Sequence, residues 1–447
     1  EAKTEEAKAE EPKEPEVPKK NYDEERQKLI KQGLQFLATH EVGHTLGLRH
    51  NFKLSSLYSL DELNDPVKTA EYGYAGSIME YLPVNIMPKG MPQGDYSPTK
   101  LGQYDYWVIE YGYKPFGKGT DGELEDLKKI AEQQTRPELN YATDEDCYGM
   151  SADPLVNVFD LGKSPLEYAK LRARLVKEIL PGLNDRIIKE GESYSKMRAR
   201  FAALLSWHGS GMTFAARYIG GIHVNRDFKG DPNSRPPFEV VAAQDQRDAL
   251  AFLNEEVFGV DSYNIPANIY NYLAPNRWRH WGSKVSSRYD LDIHGSVLSW
   301  QTAILGRLFS SATLSRLADS QLRVGPDQDV FTSAELVESL TTAIFKELES
   351  LKEGKFSIQN QAIRSVRRNL QRIYYEMLAD AALNSTSSTA GEADFYALAR
   401  LQLSRIRTNI QAVLSGNAEL DPYTKAHLSE LETRITQTLD ASITRSL

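Results

Sequence analysis

Residues 37–52 read LATHEVGHTLGLRHNF, and no other stretch limits what this chain can fold into so tightly. Three of the 8 histidines in the chain fall here, with one glutamate and two glycines. Upstream, Asn21 can cap a helix, Glu24 follows three residues later as in a capping box, and Ile30, Leu34 and Leu37 recur at helical spacing. The same helix runs into the histidines. At 3.6 residues per turn His40 and His44 share one face, with Glu41 close beside them. Gly47 suits the positive φ of a helix terminus, so the chain is expected to turn there and bring His50 back to the same point. Three neutral imidazoles at roughly 2.0 Å would hold one zinc ion and leave its fourth tetrahedral position open to water, the composition of a catalytic site. Glu41 is then placed to take a proton from that water. The spacing H-E-x-x-H-x-x-G-x-x-H has a chance of on the order of 10⁻⁵ of arising in a chain of this length, so incidental core or surface histidines are a poor explanation.

A chain of 447 residues exceeds what one hydrophobic core usually organises, and two or three domains or subdomains are expected. Residues 1–20 are a Glu/Lys/Pro/Ala tract with valine as the one large apolar side chain, too poor in apolar area to offset the entropy of ordering, and read as a tail or linker. Cys147 stands alone, which rules out an intrachain disulfide and a thiolate zinc site; any metal must be held by nitrogen and oxygen. A net charge of −9 argues against general nucleic-acid binding. No apolar run reaches membrane-spanning length and no signal-peptide pattern is present.

A second element supports the first. GSIMEYLP, residues 76–83, follows the zinc pattern, and together the two resemble the metzincin clan of zinc metallopeptidases. The resemblance implies that Met79 forms an apolar floor under the ligands. It also implies that Tyr81, two positions on, approaches the metal and steadies the oxyanion; the competing reading of Tyr81 is a buried aromatic with its hydroxyl bonded elsewhere. SPTKLGQYDYWVIEYGY, residues 97–113, resembles the helix that closes metzincin catalytic domains, with Ser97 and Pro98 as its start. YATDEDCYGMSADPLVNVFDLG, RYIGGIHVNRDFKGDPNSRPPFEVV and YLAPNRWRHWG are similar to segments of large bacterial zinc-dependent metalloproteases of the Met-zincin type, over roughly residues 21–300. That likeness implies a protein or peptide substrate and a periplasmic or secreted location in a bacterium. Metzincin catalytic domains carry a twisted sheet ahead of the zinc helix, and only 39 residues precede His40, so the sheet is expected from an upstream part of the same polypeptide.

The rest is helical by pattern. Ser164 with Pro165 opens a helix, Tyr194 to Leu205 continue at helical spacing, a further helix covers Gln244 to Phe258, and residues 217–240 suggest a short hairpin or ordered loop. Beyond Trp300 four or five helices are expected: one after Trp300, one after the Thr332/Glu335 capping box, a long one through 358–385, and two more, the last opened by Asp421 and Pro422. Short polar loops suggest an antiparallel bundle. The fold class is therefore mainly α: the C-terminal half of a metzincin catalytic domain at 21–118, a mostly helical region at 119–299, and a helical bundle at 300–447. Asp144 to Asp146, with Asp153 and Asp160, could bind calcium through oxygen but lack EF-hand spacing and read more simply as a solvated acidic loop. The basic run Arg364 to Arg372 reads as a solvated helix face, and the aromatics at Trp278 and Trp281 as packing. His208, His223, His280, His294 and His427 lack ligand spacing. The function expected is a zinc peptidase using His40, His44 and His50 as ligands and Glu41 as general base; the alternative is a zinc-bound, catalytically silent structural or interaction protein.

Overall fold

The computed structural model describes residues 22–149, 151–276, 280, 288–351, 353–384, 387 and 389–441. It is mainly helical. Helix α1 (Tyr22–Thr45) opens with Asp23, Glu24 and Glu25, acidic residues that complement the positive end of the helix dipole. The expected cap, Asn21, lies outside the described residues. The helix ends as the glycine predicts: Gly47 has φ 83°, its N–H donates to the His44 carbonyl, and the Leu48 N–H reaches back to Gly43, both in the pattern of a Schellman cap.

From Leu48 to Gly102 the chain is irregular apart from single turns at Leu54–Ser56 and Glu62–Asn64. Ser97 and Pro98 do not open the next helix, contrary to the sequence pattern. Helix α2 runs Gln103–Tyr113 and starts after Gly102, whose N–H is taken by the Asp105 carboxylate at 2.8 Å. Gly102 lies against the backbone of Gly76, where a side chain would collide. Then come α3 (Thr120–Ala131) and the single turn α4 (Asp144–Cys147).

Helices α5 (Pro165–Ile179), α6 (Leu183–Ile187) and α7 (Ser195–Tyr218) follow, with Ser164 Oγ capping α5 through the Glu167 N–H. The hairpin expected within 217–240 is formed by β1 (Ile222–Val224) and β2 (Phe238–Val240), antiparallel with Ile222 opposite Val240. After α8 (Ala243–Glu256) and α9 (Ala267–Tyr270), the later chain forms α10 (Ile293–Leu308), α11 (Ser311–Arg323), α12 (Ser333–Ile344), α13 (Glu347–Ser350), α14 (Ser365–Leu383), α15 (Ala390–Leu414) and α16 (Pro422–Asp440). The caps read from sequence hold: Thr332 accepts from the Glu335 N–H, and Asp421 from those of Tyr423 and Thr424. The helix expected after Trp300 begins earlier, at Ile293, where the Asp292 side chain accepts from the Gly295 N–H, and Ser310 caps a further helix, α11, beyond its end. The helix expected from 358 begins at Ser365, because the Ala362 and Ile363 N–H groups are bound by Asp421 and Thr424 at the start of α16. One apolar core draws on Leu166, Met212, Leu253, Leu305, Tyr374 and Leu431, so α5, α7 and α8 share it with the later helices. Trp278 and Trp281 lie outside the described residues.

The basic run on α14 is not a solvated face. Arg367 is 2% exposed and pairs with Glu347 at 2.6 Å while donating to the carbonyls of Ala343 and Ile344, which ties the C-terminus of α12 to α14. Breaking such a buried pair by removing one partner typically costs about 3–5 kcal/mol.

His427 on α16 is buried, donates Nε2–H to Gln371 at 2.8 Å, and is held down to about 3 by burial and by Arg372 and Arg368. A depressed folded-state value means that the unfolded chain takes up the proton first as acid is added. The stability His427 contributes is therefore complete above about pH 6.5 and is lost progressively as pH falls towards 3. Urea titrations across that window should show the loss, and His427→Gln, which keeps a donor without titrating, should flatten it.

Candidate metal centre

His40 and His44 lie one turn apart on α1, with ring centroids 4.8 Å apart, and His50 returns to 5.5 Å from the first and 4.8 Å from the second. One nitrogen from each lies within 4.8 Å of the others, and this is the group of three or more potential metal ligands that the described residues form. Each ring is turned by a bond at Nδ1. His40 donates to the Ile78 carbonyl at 2.7 Å, His44 to the Leu48 carbonyl at 2.9 Å, and His50 to the Asp144 carboxylate at 3.0 Å. Carbonyl and carboxylate oxygens only accept, so each Nδ1 carries the proton and each Nε2 keeps its lone pair. Burial lowers His40 from its ordinary value, which favours the neutral imidazole a metal requires.

The turn at Ser77–Tyr81 joins these parts. The Ile78 carbonyl holds His40, and the Ile78 N–H and the Ser77 hydroxyl are bound by Asp105 of α2 at 3.0 and 2.7 Å. Met79 is fully buried against Gly43 of α1, where any side chain would strike the methionine sulfur. The Met79 carbonyl accepts the Asn51 N–H, next to the third histidine. Glu80, fully buried, accepts the N–H groups of Leu54 and Ser55 at 2.6 and 2.8 Å, fixing the chain just after that histidine. Burial, reinforced by Asp160, pushes the Glu80 carboxyl well above its usual range. The Tyr81 ring lies 4.4 Å from that of His50 and 5.5 Å from that of His40, and stacks on Phe159 at 6.0 Å. Glu41 follows His40 on the exposed side of the helix.

The acidic residues that follow are each taken up by a neighbouring group. Asp144 orients His50; Asp146 takes the Thr143 N–H at 2.8 Å and pairs with Arg226 at 2.6 Å; Asp153 pairs with Lys53 at 2.7 Å and with His223 at 3.1 Å; and Asp160 accepts from Asn157. Burial alone would raise Asp144, but the bonds from His50 and Thr143 outweigh it and hold the carboxyl below its usual range. Asp153, likewise opposed by burial, is brought down to about 2 by His223 and Lys53. Its contacts fasten β1 to the loop that follows His50. Gly43, Ile78, Glu80, Asp105 and Asp144 in this supporting role were not read from the sequence. Two signals were there: a glycine between the paired histidines, and a carboxylate run in a segment without repeats or patterning of its own.

A zinc ion fits these residues. His50 Nε2 is buried without a hydrogen-bond partner, all three Nδ1 atoms are engaged elsewhere, and the donor set is three neutral imidazoles with no competing thiol. Fold and site together give a mainly helical protein in which three histidines are gathered so that they could hold a metal, beside the turn that carries Met79. A profile of the Met-zincin family matches residues 22–351, and the chain belongs to that family. Membership points to a zinc-dependent metallopeptidase in general terms. No curated protein and no solved structure matches the chain. Among the described residues no helix is long and apolar enough to cross a membrane.

Carboxylates that orient a ligating imidazole typically contribute about 10- to 100-fold in metal affinity. Asp144→Asn should weaken zinc binding by that factor in a competition titration with a chromogenic chelator, while far-ultraviolet circular dichroism stays unchanged.

Proposed function

We propose that this chain is the catalytic part of a zinc endopeptidase, with His40, His44 and His50 as ligands and Glu41 as general base. The observation that carries the reading is the set of three imidazoles, each fixed at Nδ1, with an exposed carboxylate next to the first. When bound, zinc would supply Lewis acidity and lower the pKa of water at the site. Glu41 accepts a proton from the water as its oxygen bonds to the scissile carbonyl carbon, then delivers that proton to the amine nitrogen as the C–N bond breaks. Tyr81 is assigned the oxyanion: its ring borders His40 and His50, and its hydroxyl, which donates no hydrogen bond among the described residues, is free to donate. Met79, beneath Gly43, is the floor that keeps the zinc helix and the turn in register. Glu41→Ala should lower casein hydrolysis by at least about 100-fold while zinc content remains one ion per chain. Loss of zinc in that variant would remove the general-base assignment, and chelator-insensitive hydrolysis would remove zinc.

The substrate-binding sheet belongs to the same proposal. One side of α1 packs on the segment at 95–99, through Gln32 to Asp95 and Gln35 to Thr99. The other carries Ile30, Leu34 and Leu37, exposed by 42, 62 and 54%, in line with Glu41. An apolar stripe of this kind, ending at the catalytic carboxylate, suits a twisted sheet whose edge strand pairs with an extended peptide. We assign that sheet to an upstream part of the same polypeptide, in a protein of the bacterial periplasm or exterior. With the upstream part present, Leu34→Glu combined with Leu37→Glu should cut casein hydrolysis by about tenfold or more while zinc content is kept. Equal activity in the double variant would dismiss the docking.

A further inference from the structure

Far along the chain from the metal centre, helices α10, α14 and α16 surround a cavity of about 360 Å³. Arg368 and Arg372, one turn apart on α14, both line it, as do Ser365 and His294. Arg368 is 7% exposed, with its guanidinium 5.3 Å from the centre of the Tyr423 ring. Its Nη1 donates to Gln361 at 2.7 Å and to the Ile363 carbonyl at 2.5 Å; Nε and Nη2 donate no hydrogen bond among the described residues. Arg372 bonds only to Asn369, at 3.0 Å, and neither guanidinium forms an ion pair among the described residues. The carboxylate acting on Arg368 is Asp421, already committed to the N–H groups of Tyr423, Thr424 and Ala362. Burial and then the neighbouring Arg372 pull the Arg368 guanidinium below its usual range, as expected for positive charge that is not offset.

A buried cation without a counter-ion is expensive, and Arg367 beside it has the carboxylate that Arg368 lacks. Two guanidinium forks, with the Ser365 hydroxyl, which keeps its own proton to donate when His294 Nε2–H donates to it at 2.8 Å, present more donors than the two oxygens of a carboxylate can use. A phosphate group, with three or four oxygens and up to two charges, matches the set. Glu430 lines the same cavity but stands 4.0 Å from Arg434 on its own helix. We propose that this cavity binds a phosphate group, as the free ion or as the phosphomonoester of a small molecule for which the remaining volume leaves room.

Calorimetric titration of the whole chain with inorganic phosphate, with phenyl phosphate and with acetate tests this. Saturable binding of phosphate or phenyl phosphate is expected, weakened at least about tenfold in Arg372→Gln and in Ser365→Ala. Arg372 is exposed, so its replacement should leave the thermal midpoint without ligand unchanged, which keeps the test independent of folding. Binding of inorganic phosphate as tight as that of the ester marks the free ion as the ligand; tighter binding of the ester marks a phosphorylated molecule. No binding of either, equal binding of acetate, or binding unaltered in Arg372→Gln overturns the proposal.

Discussion

The bond from His40 Nδ1 to the Ile78 carbonyl is the interaction on which the metal centre depends. It joins a helix to a turn 38 residues downstream. Ile78 is itself pinned by Asp105 of α2, which also sets where that helix starts. Burial raises the Asp105 carboxyl, while the bonds from Ser77, Ile78 and Gly102 oppose that rise. The first imidazole is thus positioned through Ile78, whose N–H is held by the Asp105 carboxylate and whose carbonyl takes the imidazole proton.

The third histidine is held by different means. His50 lies beyond the helix cap, where no helical hydrogen bonds fix the chain, and the surroundings supply what the helix would have. Glu80 grips the backbone just after it, Met79 accepts from Asn51, and Asp144 turns the ring. Asp144 is in turn placed by α4, which Arg49 anchors through Glu145 at 2.7 Å. Asp153 then joins the same loop to β1 through Lys53 and His223. Two of the family-like segments, those holding Asp144 and Asp153 and holding His223, therefore contribute to the frame around His50. Their acids orient His50 and pair with Arg226, Lys53 and His223.

The helical remainder follows a similar economy in its polar residues. Arg367 sits in the interior because it satisfies the open carbonyl end of α12 and pairs with Glu347. Arg368 sits beside it with part of its guanidinium facing a cavity. Sequence could not tell these two from a solvated face, since a run of arginines on a helix looks the same whichever element packs over it. Only the position of α16 and α12 against α14 separates them.

What the sequence determined by itself was the local chemistry: two imidazoles on one helical face, a glycine at the cap, a third imidazole within reach, a methionine turn, and most helix starts. These depend on 3.6-residue periodicity, positive φ at Gly47 and side-chain capping, all of which act within a few residues. Tertiary structure decided the rest: which carbonyl or carboxylate fixes each ring, where α2 and α14 begin, and which arginines are buried. Apart from the bond of His44 to Leu48, four residues on, these outcomes turn on contacts between residues distant in the chain, such as Ile78 with Asp105, 27 positions apart, and His50 with Asp144, 94 apart, and no local preference encodes a partner so distant.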